Sequence, residues 1–140
     1  SFKNRDLKPF QAGIRSGCDM IMVSHNIVHC FDSKNPASIS PKVNKYIRNT
    51  MGFKGVIVTD SLSMAGVRSF TGSEGERAVR AVQAGDDLLC TENYRETYQA
   101  LLRAYKTKRI SKKRINASVK RILMMKYRRG LAGRFAVRRR

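Results

Sequence analysis

An α/β fold built on a parallel sheet is what this sequence predicts, and three observations carry the prediction. Short apolar runs of strand length occur at 18–24 (CDMIMVS), 55–59 (GVIVT) and 86–90 (DDLLC). Segments with helical apolar spacing separate them. The runs start 37 and 31 residues apart, the size of a βαβ unit with a right-handed crossover. Three parallel strands cannot close a barrel and leave two open edges. The sheet is therefore unusually small or part of something larger.

The elements follow in order. In 6–17, Leu7, Phe10 and Ile14 fall at helical spacing and Gly17 supplies a stop. After the first strand, 26–40 reads as a loop punctuated by Asn, Asp, Ser and Pro. Ser40-Pro41 is an N-cap followed by proline at the first helical position. The helix after it, through about Thr50, puts Val43, Tyr46 and Ile47 on one face, and Gly52 closes it. GVIVT is a continuous β-branched run, as expected of a strand covered on both faces. Residues 60–72 read as a loop holding at most a short turn. In 73–84, Ser73 and Glu76 form a capping-box pattern and Gly85 stops the helix. Helices are expected over 94–106 and 111–129. The second carries an apolar stripe through Ile115, Val119, Ile122, Leu123 and Met124. Residues 1–132 form one structural unit and 133–140 a basic tail.

Composition narrows the class. Of the 140 residues, 41% are hydrophobic, enough for a packed core. No apolar run approaches the roughly 20 residues of a membrane span, and SFKNRDLKPF has no secretory h-region. Cys18, Cys30 and Cys90 are odd in number and show no CxxC, which argues against disulfides and zinc. Unpaired thiols in a reducing compartment, the cytoplasm, are expected. The net charge of +19 is concentrated at one end. Residues 1–96 carry 13 basic and 10 acidic side chains; 97–140 carry 16 basic and none acidic. A nucleic-acid-binding module would use such an end. However, Tyr105, Tyr127 and Phe135 are widely spaced there, and no RNP, helix-turn-helix or KH signature is present. A solvated helix face explains the same charge.

Parallel α/β folds keep their chemistry at the C-terminal ends of strands. Those ends here are Ser24-His25, Asp60, and Cys90-Thr91-Glu92. A carboxylate delivered by a buried strand is costly unless it has work to do. The alternative for Asp60 is a turn cap with Ser61 and Ser63 nearby. For His25 it is a hydrogen-bonded structural histidine. His25, His29 and Asp32 together are a weak metal signal, and no metal or other cofactor is expected. GxGxxG, GxxxxGK[ST] and GxSxG are all absent.

The blocks LKPFQAGIRSGCDMIMVSH, NPASIS, IRNTMGFKGVIVTDSLSM, ERAVRAVQAGDDLL and RINASVKRILMMKYRRGL resemble glycoside hydrolase family 3. The likeness is greatest to its bacterial β-N-acetylhexosaminidase branch, and it covers most of 6–131. GFKGVIVTDSLSM at Gly52–Met64 is the most specific block. The resemblance implies a partial TIM (β/α)8 barrel holding the last three parallel strands with flanking helices. It makes Asp60 the catalytic nucleophile of a retaining hydrolase. His25 and Met64 would then line the substrate pocket, and Asp87 would support the barrel end. The implied substrate is a terminal β-linked N-acetylglucosamine of cell-wall-type oligosaccharides. A family 3 β-glucosidase or β-xylosidase is the neighbouring alternative.

Three departures from the family pattern stand out. The KHFPGHG-type block carrying the general acid/base, and the sugar-binding Lys-His pair and Arg, would precede Ser1. The resemblance therefore implies a nucleophile half, whose partner is the N-terminal half of the barrel. Ser61 replaces an acidic residue beside Asp60. The basic C-terminal stretch exceeds the pattern. From the open edges, the isolated chain is expected to be marginally stable and prone to associate; lacking the general acid/base, it is expected to be inactive alone.

Overall fold

The computed structural model describes residues 5–131; the basic tail expected at 133–140 lies outside them. Helix α1 spans Lys8–Arg15 and strand β1 Met20–Val23. A 3-10 turn over Ala37–Ile39 precedes helix α2, Pro41–Lys45, which continues as a π-helical turn over Tyr46–Thr50. Strand β2 is Val56–Ser61, followed by the short helix α3, Ala65–Arg68, and by α4, Glu74–Ala84. Strand β3 is Leu88–Cys90, helix α5 Tyr94–Lys106 and helix α6 Lys112–Arg128. The sheet is parallel, in the order β1-β2-β3. The expected α/β unit with three parallel strands is therefore what forms.

Local chemistry sets the helix ends. The Ser40 hydroxyl accepts from the Val43 amide at 3.3 Å, and the Ser73 hydroxyl accepts from the Glu76 amide at 3.1 Å. Each satisfies an amide that has no partner inside its helix. Helix α4 stops at Gly85, whose φ is +128°. A Cβ there would also meet Asn44 at 3.0 Å, so glycine is required twice over. All three strands differ from the sequence reading at their ends: the first is trimmed from 18–24 to Met20–Val23. The second strand runs on through Asp60 and Ser61, and the third starts only at Leu88. Asp86 and Asp87 are drawn out of the third strand by other partners, described below.

The two faces of the sheet differ. Ile21, Val23 and Ile57 pack with Val43, Ile47 and Phe53 into a buried cluster. Val79, Ala104 and Ile110 form another between the later helices. The opposite face carries Met20, Met22, Val58 and Leu88, aligned across the register. It is incompletely covered: Met22 is 59% exposed. A parallel sheet is ordinarily buried on both faces, and the central run GVIVT is so, with Val56, Ile57 and Thr59 fully buried; the exposure falls on the edge strand β1.

Apolar grooves flank both edge strands. One, of about 560 Å³, lies along β1 and includes Phe10, Ile27 and Phe31. The other, of about 370 Å³, lies beside β3 between α5 and α6. This corrects two helix faces. Phe10 is half-exposed, and the stripe of α6 leaves Val119, Leu123 and Met124 open. The spacing was right, but the described residues leave those stripes partly open.

Helix α6 lies across the N-terminal ends of the strands. Ser118 and Arg121 bond Asp87, directly before β3, and Arg129 pairs with Asp19, directly before β1. The basic end is thus partly spent inside the fold, since Arg109 also pairs with Glu76.

Asp86 gives a testable pH effect. It is fully buried, its Oδ1 accepts from the Asn44 side-chain amide at 3.2 Å, and among the described residues its Oδ2 and the Asn44 Oδ1 have no hydrogen-bond partner. Burial pushes its carboxyl well above the usual value, and the Asn44 bond offsets this only in part. The folded state therefore binds a proton that the unfolded chain releases above about pH 4. Asp86 contributes fully below that pH and progressively less as pH rises. Asp32 has the opposite sign. Burial alone would raise it, but bonds from Ser40, Lys34 and Asn35 hold it below the usual range. Its contribution is present above about pH 4 and lost on acidification. Asp86→Asn keeps the shape, donates to Asn44 Oδ1 and cannot ionise. Urea unfolding at pH 5 and pH 8 should show a variant at least as stable as the parent at pH 8, with less loss between the two. A variant weaker than the parent mainly at pH 8 contradicts the assignment.

Candidate active site

Asp60 sits one residue from the end of β2, the central strand, and is half-buried. Side chains alternate along a strand, so Asp60 shares the open face with Val58. Between Val58 and Ser61 the register with β3 shifts, three residues on β2 matching two on β3. Such a bulge re-aims a side chain at a strand end. The Ser61 amide donates to Asp60 Oδ1 at 2.7 Å. Among the described residues Asp60 forms no ion pair.

The backbone just after Asp60 is tied down from several sides. The Ser61 carbonyl accepts from the Met64 amide at 3.1 Å and from His25 Nε2 at 2.7 Å. The Leu62 amide donates to the Cys90 carbonyl at 2.9 Å, joining the ends of β2 and β3. Buried Arg77 donates from Nε to the Leu62 carbonyl at 2.6 Å. Arg80 donates to the Phe70 carbonyl and to Asn35, both at 2.8 Å. These two arginines of α4 were not singled out in the sequence. The only available signal was that helix 73–84 follows the loop it holds.

His25 and Asp60 are brought to one rim, as expected. His25 is half-buried, with Nδ1 2.7 Å from the hydroxyl of buried Ser38. Met64 is 47% exposed on the loop after β2, at the N-cap of α3. Glu92 joins the rim through hydroxyls: Ser61 Oγ lies 2.8 Å from Ser63 Oγ, which donates to Glu92 at 2.6 Å. Ser61 thus begins a hydroxyl chain that ends on the Glu92 carboxylate. His25, His29 and Asp32 do not assemble. The Asp32 carboxylate is taken by Ser40, Lys34 and Asn35, and among the described residues no group of three His, Cys, Asp or Glu could hold a metal. Cys18, Cys30 and Cys90 are free thiols. No helix among the described residues is long and apolar enough to cross a membrane.

Residues 1–125 match the glycosyl hydrolase family 3 N-terminal domain. The chain belongs to that family. Among similar proteins is a β-hexosaminidase from Psychromonas ingrahamii, 37% identical over 105 residues, covering 74% of this chain and 31% of that protein. An uncharacterized secreted glycosyl hydrolase from Arthroderma benhamiae is 40% identical over 85 residues, 60% of this chain and 24% of that one. A family 3 β-N-acetylglucosaminidase structure from Paenibacillus superimposes with a TM-score of 0.85 at 38% identity, over 91% of this chain and 25% of that chain. The chain thus spans less than a third of the length of these relatives. Its three strands and helices correspond to part of a family 3 barrel domain, the fold class read from the sequence.

Proposed function

We propose that this chain is the nucleophile-bearing part of a retaining family 3 hydrolase that removes terminal β-linked N-acetylglucosamine. One observation carries the reading: Asp60 stands at the C-terminal end of the central parallel strand, on the open face, within a backbone fixed by several hydrogen bonds. Two relatives bearing the names β-hexosaminidase and β-N-acetylglucosaminidase support the sugar. The Asp60 carboxylate attacks the anomeric carbon as the glycosidic C–O bond breaks. A general acid from the rest of the barrel gives its proton to the leaving oxygen. Water then cleaves the glycosyl–Asp60 ester, with the same group now acting as base. Met64 forms part of the pocket wall. The partner is the N-terminal portion of a family 3 barrel, which would cover Met20 and Met22 and fill both edge grooves.

The test is complementation. The chain is co-expressed with the N-terminal portion of the Psychromonas β-hexosaminidase, and hydrolysis of aryl β-N-acetylglucosaminide and aryl β-glucoside is followed. Turnover by the pair but by neither part, with the N-acetylglucosaminide preferred, is the expected result. Preference for the glucoside would overturn the sugar assignment. Activity of the chain alone would overturn the division of labour.

A further inference from the structure

We infer that His25 is a positioning residue for the nucleophile, a strut between three segments, rather than a hydrogen-bonding ligand of the sugar. This rests on the reading of Asp60 given above.

Both ring nitrogens are already used. A carbonyl can only accept, so His25 Nε2 carries a proton and donates it to the Ser61 carbonyl at 2.7 Å. In the neutral ring Nδ1 is then the acceptor, and the Ser38 hydroxyl donates to it at 2.7 Å. Ser38 is fully buried and its amide donates to the Ser24 carbonyl at 3.0 Å, so the far end of the strut is itself anchored. Helix α3 closes over the histidine: a Cβ on Gly66 would come within 3.2 Å of the His25 Cβ. Nothing on the ring remains to bind a sugar hydroxyl without breaking one of these bonds.

What the strut fixes lies next to the reacting atoms. The peptide joining Ser61 and Leu62 is held at its oxygen by His25 and Met64, and at its nitrogen by Cys90. Pinning this peptide fixes the backbone at Ser61. That in turn aims the Ser61 amide, which donates to Asp60 Oδ1. Displacement of a reacting group by about 1 Å costs on the order of 10²-fold in rate. Loss of the strut should therefore appear in kcat and leave KM nearly untouched.

The experiment compares His25→Ala and His25→Gln. Glutamine can donate to the Ser61 carbonyl and accept from Ser38, whereas alanine does neither. In the complemented enzyme, His25→Ala should lower kcat about 10²-fold with KM little changed, and His25→Gln should recover much of the loss. A raised KM with kcat kept, or equal loss in both variants, overturns the strut. A second arm needs no turnover. In the 15N-labelled chain alone at pH 8, the ring should show protonated Nε2 and bare Nδ1. The Leu62 amide should lose hydrogen-exchange protection in His25→Ala and regain it in His25→Gln. Protonated Nδ1, or unchanged Leu62 protection in the alanine variant, refutes the inference. If the wild-type pair shows no turnover, the functional reading has failed, while this second arm still decides the strut.

Discussion

Asp87→Ala is expected to unfold the chain under conditions where the parent is folded. The Asp87 carboxylate has no exposed surface and is the meeting point of the fold. Its Oδ2 accepts from the Ile57 amide at 3.1 Å and from Arg48. Its Oδ1 accepts from the Ser118 hydroxyl at 2.6 Å and from Arg121 at 3.0 Å, with Arg114 at 3.5 Å. One side chain therefore joins β2, the α2 segment and α6. Removing it leaves three guanidinium groups facing one another without their shared counter-charge. Arg48 registers the crowding: burial lowers its pKa first, Asp87 opposes this, and Arg121 and Arg114 add to the lowering. Breaking a buried ion pair from one side costs about 3–5 kcal/mol, against a total of roughly 5–15 kcal/mol for a whole domain. Asp19→Ala removes the pair with Arg129, which is 64% exposed, and should cost no more than about 1 kcal/mol. Thermal melts followed by circular dichroism compare the two. An Asp87→Ala melt within a degree or two of the Asp19→Ala melt would show that the hub is not what holds α6 to the sheet.

The sequence exposed what depends on neighbouring residues and hid what depends on distant ones. Ser40-Pro41, Ser73 with Glu76, and Gly85 act within one turn of their own helix, and all three terminate helices where expected. The β-branched run GVIVT reports burial directly and marks the central strand. The convergence on Asp87 joins residues 30 to 39 positions apart, and no local pattern distinguishes Arg48, Arg114 or Arg121 from other surface arginines. The same holds at the rim. The position of Asp60 at the end of the central strand was legible because the β-branched run ends on it. Ser38, Arg77 and Arg80 were not, because their partners are backbone carbonyls or the far side of a histidine ring. The stripes of α1 and α6 were found at the correct spacing, yet Phe10 and Leu123 remain exposed. Periodicity shows that a face is apolar and not what will cover it.

Asp60→Asn should abolish most turnover of the complemented enzyme while leaving substrate binding largely intact. The substitution removes a full negative charge from beside the anomeric carbon and nearly preserves shape. The oxocarbenium-like transition state then loses its nucleophile and its electrostatic partner together. We expect a rate loss of about 10³-fold or more, the scale of a lost transition-state contact. The fold should not suffer, since Asp60 makes no ion pair among the described residues and its bond from the Ser61 amide can be kept by the asparagine oxygen. The other carboxylates are placed elsewhere. Asp19, Asp86 and Asp87 precede strands and are paired or buried at the opposite end of the sheet. Asp32 is closed in by its own loop. Glu74 is committed to Thr91 and the backbone amide of Glu92; burial alone would raise its pKa, and those bonds outweigh it and hold it low. Glu92 is the serious competitor, because it is exposed on the same rim and linked to Ser61 through Ser63. It is nevertheless carried by the loop after an edge strand, and reaches the Asp60 turn only through two hydroxyls. A slow 2-fluoro glycosyl donor separates the two: the covalent label should be found by mass spectrometry on the peptide containing Asp60. A label on Glu92, or near-normal turnover in Asp60→Asn, would sink the assignment. Glu92→Gln should remain labelled at Asp60.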